Sequence, residues 1–158
     1  MRLSNHCFLS ARSPESHCSA LSQGCQNSKE RIRLTVLLDS WCWIEYFNGT
    51  QLGKQVIPYL DDGKRVFISV ISLAEVYKFA LLHRSEKDSD KMVAQMLSSS
   101  FLIPVDATVA LNAAQFNAKQ KLGLGDSIIY ESAKAHKLKL VTGDPGFKNM
   151  NDVEYLGK

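Results

Sequence analysis

The sequence predicts an α/β fold, three layers deep (α/β/α), around a mostly parallel central sheet of four to five strands. Short apolar runs recur along the chain: "LTVLL", "RVFIS", "FLIPV" and "LKLV". A strand with little polar alternation is one covered on both faces, as in a parallel sheet. Stretches of helical periodicity separate the runs, which is the order of βαβ units.

Each element has its own signal. "LTVLLD", Leu34 to Asp39, reads as the first strand, followed by a turn at Asp39-Ser40. "WCWIEYF" reads as a short helix, and "LGKQVIPYLDDGK" as another, with Pro58 a blemish in it and Gly63 its stop. "RVFIS" is the second strand. The helix after it takes Ser72 as N-cap and carries Leu73, Val76, Tyr77, Ala80 and Leu81 on one stripe. "KDSDKMVAQMLSS" continues as helix, "FLIPVD" gives a third strand, and "ATVALNAAQFNAKQ" a long Ala-rich helix. "GLGDSIIYESAKAHK" follows, with Ile128, Ile129, Ser132, Ala133 and His136 along one face. "LKLVT" is the fourth strand and "VEYL" a short fifth. The spacing shows no internal repeat and no second domain within residues 34–158.

The 158 residues carry a formal net charge of +3, and that charge is unevenly placed. Residues 1–33 hold five Lys or Arg against Glu15 and Glu30; the remainder holds fourteen basic and fourteen acidic residues and is neutral. The body is therefore not a basic nucleic-acid platform, and binding a polyanion there needs a local patch or a bridging cation. The apolar runs fall far short of the roughly 18 residues of a membrane span. One cysteine in the body, Cys42, leaves no internal disulfide framework and fits a reducing, cytoplasmic setting.

Residues 1–33 contain seven serines, Cys7, Cys18 and Cys25, and little apolar periodicity. Cys7-Phe8-Leu9 is too short for a secretory signal. The pairs His6-Cys7 and His17-Cys18 match no usual zinc spacing. This stretch reads as a disordered extension, or as translated sequence upstream of the natural start.

Acids define the chemistry. Parallel sheets place their sites beyond the carboxyl ends of the strands. Asp39 ends the first strand, and Asp144 lies three residues past Val141. Glu75 is expected in the first turn of the helix after strand two, and Asp126 in the first turn after "GLG". Singly, each has a structural explanation as turn, cap or dipole partner. Four carboxylates converging on one edge repel unless a cation lies between them. All-oxygen ligation favours Mg²⁺ or Mn²⁺, and His83 and His136 fall away from this edge. Such ions bind phosphate and activate water.

"VLLDSWCWIEYF", "ISVISLAEVYKFA" and "GLGDSIIYESAKAHKLKLVTGDPGF" resemble the successive signatures of PIN-domain nucleases, a family that includes the VapC toxins of toxin–antitoxin pairs. The match runs from about Leu34 to Tyr155. The resemblance implies a PIN domain over residues 34–158 that hydrolyses RNA phosphodiester bonds to a 5′-phosphate and a 3′-hydroxyl. It implies that Asp39, Glu75, Asp126 and Asp144 are the four metal-holding catalytic acids, with Ser40 and Thr142 orienting them. The chain departs from the pattern at Trp41, where many members carry Asn, which removes a polar group from beside the first acid.

The partners implied are an RNA substrate, a second copy in a homodimer, and an antitoxin. Trp41, Trp43, Tyr46 and Phe47, with Ile44, are expected to bury this helix against a partner subunit or antitoxin segment; stacking on bases is the alternative. Lys78 and Lys148 are the candidate cleft lysines. Asp106 reads as a helix cap, and Asp88 and Asp90 as a solvated run. Within this class, an RNA-maturation nuclease and a catalytically silent RNA-binding or scaffold module stay open beside the toxin. A phosphoacceptor receiver domain would need adjacent acids on the first strand, and a haloacid-dehalogenase phosphatase D-x-D, where position 41 is Trp.

Overall fold

The computed structural model describes residues 35–61, 65–120 and 122–157, all within one compact unit, Arg33–Lys158. The expectations for residues 1–33 lie outside the described residues. The described strands are β1 (Val36–Leu38), β2 (Val66–Ser69), β3 (Phe101–Ile103), β4 (Lys139–Thr142) and β5 (Val153–Tyr155). They form one sheet in the order β3-β2-β1-β4-β5, every neighbour pair parallel. The helices are α1 (Ser40–Phe47), α2 (Ile57–Asp61), α3 (Val70–His83), α4 (Glu86–Ser99), α5 (Ala107–Gln120) and α6 (Leu124–Ala135). Among the described residues no helix is long and apolar enough to cross a membrane.

The apolar runs divide between two cores, one on each face of the sheet. Val36 and Leu38 of β1, Val66 and Ile68 of β2, and Val141 of β4 pack with Trp43, Val76, Ala80, Met92 and Met96. Leu37 and Leu140 point the other way and pack with Ile129, Tyr130, Ala133 and Phe147. The alternation along β1 is thus apolar on both sides, which is why its sequence shows no polar period.

Several boundaries differ from the sequence expectation. The chain enters α1 directly at Ser40, with Asp39 as N-cap, so no turn separates strand from helix. "LGKQVIPYLDDGK" is not one helix: a 3₁₀ turn (Gly53–Gln55) precedes α2, whose second residue is Pro58, where the missing N–H is not needed. Gly63 lies outside the described residues. The N-cap of α3 is Ser69, whose hydroxyl accepts the Ile71 N–H, and not Ser72, which is buried within the helix. The earlier start turns the helix face: Leu81 is 47% exposed, while Val76 and Ala80 are fully buried. On α6, Tyr130 and Glu131 are buried and His136 is the exposed C-cap.

The strand order reverses between β1 and β4: β2 and β3 lie to one side, β5 to the other. Ligand sites of open parallel sheets form beyond the strand ends at such a point. Leu38 pairs with Val141 there, so the residues that follow them, Asp39 and Thr142, emerge side by side.

Candidate active site

Asp39 is 3% exposed, and protein donors hold both its carboxylate oxygens. Oδ1 accepts the Ser40 N–H at 2.7 Å and the Ser40 hydroxyl at 3.1 Å; Oδ2 accepts the Thr142 hydroxyl at 2.7 Å. Its own N–H donates to the Val141 carbonyl at 3.1 Å, closing the seam between β1 and β4. Burial pushes the Asp39 carboxyl up to about 6. The bonds from Thr142 and Ser40 oppose that rise, and the charge of Asp126 adds to it.

Thr142 ends β4 and is fully buried. Its oxygen also accepts the Asp144 N–H at 3.0 Å, so one hydroxyl ties the first acid to the last. Asp144 caps the 3₁₀ turn Pro145–Phe147, accepting the Gly146 N–H on Oδ1 at 2.8 Å. "TGDPG" is therefore a turn, as its composition says, with Asp144 half-buried at its entrance.

Asp126 lies in the first turn of α6, as expected, but it is not the N-cap; that position is Gly123, with no side-chain cap. Burial raises the Asp126 carboxyl above its ordinary range, the charges of Glu75 and Asp144 raise it further, and the Gly123 N–H opposes them. Glu75 stands in the second turn of α3, because that helix begins at Val70, earlier than expected. It leans on α6: a Cβ on Gly125 would fall 2.5 Å from Glu75 Oε1.

Four acids from four segments therefore share one electrostatic neighbourhood, with Asp126 coupled to each of the other three. Among the described residues none of the four forms an ion pair. Hard anionic oxygens lacking a cationic partner suit Mg²⁺ or Mn²⁺ in chemistry. The spacing is open, however: no three His, Cys, Asp or Glu among the described residues are gathered tightly enough to make a ready ligand set.

The sequence profile of the PIN domain family matches residues 36–153. The chain belongs to the PIN domain family. Its fold is shared with a toxin–antitoxin complex from Klebsiella pneumoniae (24% identity, TM-score 0.67), covering 78% of this chain and 99% of that one. VapBC2 from Rickettsia felis, bound to a promoter DNA fragment, is similar at 18% identity and TM-score 0.63, covering 77% and 98% of the two chains. Mycobacterium tuberculosis VapC20, a sarcin–ricin loop cleaving toxin, is similar at 11% identity and TM-score 0.58, covering 66% and 85%. No curated relative matches the sequence.

Gly123 and Gly146, expected only as turn residues, also allow close packing in this PIN domain. A Cβ on Gly123 would fall 2.6 Å from Asp126 Oδ2, and one on Gly146 2.5 Å from Leu122 Cδ2. Their density in "GLGD" and "TGDPG" was the available signal. Trp43 is fully buried in the core, so it faces neither a partner nor a base; Tyr46 and Phe47 pack beside it. Asp106 caps α5, accepting the Val109 N–H at 2.8 Å, and Asp88 pairs with Lys91 in solvent. His83 and His136 stand at the C-terminal ends of α3 and α6, far along those helices from Glu75 and Asp126. Lys78 and Lys148 are exposed, and Lys148 Nζ lies 5.4 Å from the centre of the Tyr155 ring.

Proposed function

We propose that this PIN domain is a divalent-metal-dependent endoribonuclease and the toxin of a toxin–antitoxin pair, working as a cytoplasmic homodimer. The observation that carries the reading is the convergence of Asp39, Glu75, Asp126 and Asp144 at the β1/β4 switch point, with no ion pair to a basic group among the described residues. Toxin action and an antitoxin partner are supported by the structural neighbours, several of which are toxin–antitoxin complexes; another, VapC20, is a sarcin–ricin loop cleaving toxin.

Asp39, Asp126, Asp144 and Glu75 would hold Mg²⁺ or Mn²⁺, which supplies a polarised phosphate and a water of lowered pKa. The chain's own residues then do the positioning. Ser40 and Thr142 fix the Asp39 carboxylate from both sides and leave it no freedom to rotate. One of the four carboxylates would also accept a proton from the attacking water. Lys78 and Lys148, both exposed, would meet backbone phosphates.

The test is cleavage of single-stranded RNA by the full chain with Mn²⁺ and with EDTA, beside Asp39→Asn and Asp126→Asn. Each variant should lose several orders of magnitude of rate while keeping its fold, since each removes ligand charge from the ion. Cleavage by Asp39→Asn near the wild-type rate would remove the mechanism. Tight RNA binding by the wild type without cleavage would favour the silent scaffold instead.

A further inference from the structure

Trp41 lies in the first turn of α1, two residues past Asp39, and is half-buried against the core. A Cβ on Gly143 would fall 2.3 Å from its Cζ3, 2.4 Å from Cη2 and 2.7 Å from Cε3. Three consecutive ring carbons therefore cover the Gly143 α-carbon, and only glycine leaves room for them. Gly143 is itself buried, and it is the single residue between Thr142 and Asp144. The ring thus comes from the segment that begins with Asp39 and seats on the segment that carries the last acid.

We propose that Trp41 is a positioning residue of the metal site. Seated on Gly143, its ring locks the end of β4 against the start of α1. The Thr142 hydroxyl then stays on Asp39, and Asp144 is presented beside it. Two hydrogen bonds, 2.7 Å and 3.0 Å long, join these three residues. The bond from Asp144 is only partly buried, and an apolar cover over Gly143 keeps water from it. This assignment rests on the metal-dependent reading above.

Four variants of the full chain test it: Trp41→Ala, Trp41→Phe, Gly143→Ala, and Trp41→Ala with Gly143→Ala. Mn²⁺ affinity is measured by titration calorimetry, Tm in EDTA, and kcat and KM on a single-stranded RNA. Trp41→Ala should weaken Mn²⁺ binding by about tenfold or more, the usual effect of losing a group that orients ligands. It should lower kcat and leave KM little changed. Trp41→Phe should restore most of the affinity. Gly143→Ala should lower Mn²⁺ affinity and Tm in the wild-type background, and clearly less once the ring is gone. Wild-type Mn²⁺ affinity in Trp41→Ala would overturn the assignment. So would an effect confined to KM, which would make the ring a base-stacking surface, or equal damage by Gly143→Ala in both backgrounds. A wild-type chain that binds no Mn²⁺ overturns the metal reading and this assignment with it, whereas normal wild-type binding with an unaffected Trp41→Ala overturns the assignment alone.

Discussion

Replacing Asp39 by Asn should stabilise the metal-free protein above pH 6 and flatten its pH dependence. Burial lifts the folded carboxyl from 3.8 to about 6. The folded state therefore holds its proton to a higher pH than the unfolded state does. The stability this contributes is full below about pH 4 and is lost as pH rises through about 6. A difference of about two pH units, at about 1.4 kcal/mol each, makes the loss about 3 kcal/mol. Asn carries no charge and escapes it. The substitution fits the site, because the amide oxygen keeps the Ser40 N–H and the amide nitrogen donates to Thr142 Oγ1, which already accepts the Asp144 N–H. Asn is also as good an N-cap as Asp. Urea unfolding in EDTA at steps from pH 4 to pH 7.5 measures both proteins. Between pH 4 and pH 7 the wild type should lose stability relative to Asp39→Asn by about 3 kcal/mol, and Mn²⁺ at about 100 times its Kd should return roughly 2.7 kcal/mol to the wild type. Parallel profiles in EDTA would show that Asp39 bears no buried charge in the folded state.

Thr142→Val removes a hydroxyl that serves both Asp39 and the Asp144 N–H, and should cost about 2–3 kcal/mol in EDTA by chemical denaturation, with cleavage reduced and the fold retained. Deleting residues 1–30 should leave the melting temperature and the Mn²⁺-dependent activity nearly unchanged, since that segment offers no apolar pattern to bury; calorimetry and the nuclease assay check it, and a large drop in Tm would place the extension on the body.

What the sequence made legible was whatever depends on short-range pattern. Both-face burial left β1, β2 and β4 as plain apolar runs, and acids at or just after the ends of β1 and β4 needed no contact information to notice. The failures came where tertiary packing chose between local signals. Ser69 and Ser72 are both acceptable caps, and Ser69 won because β2 passes into α3 without a loop; that moved Glu75 from the first turn to the second. Within the aromatic run of α1 a period near 3.6 sends Trp43 inward beside Cys42, which removes that residue from the expected interface, while Trp41, Ile44, Tyr46 and Phe47 are only partly buried. Nothing in one-dimensional spacing places Trp41 on Gly143, 102 positions later, because that contact exists only once β1 and β4 are neighbours.

The same adjacency splits the acids into two kinds. Asp39 and Asp144 are tied through one hydroxyl, and Asp39 has both oxygens occupied, so this pair is rigid before any ligand arrives. Glu75 and Asp126 project from helices α3 and α6, and the Glu75 carboxylate takes no hydrogen bond from the described residues. On the proposed reading, any rearrangement that gathers the carboxylates round a cation would fall on Glu75 and Asp126, while Asp39, Thr142 and the Asp144 backbone stay where the sheet puts them.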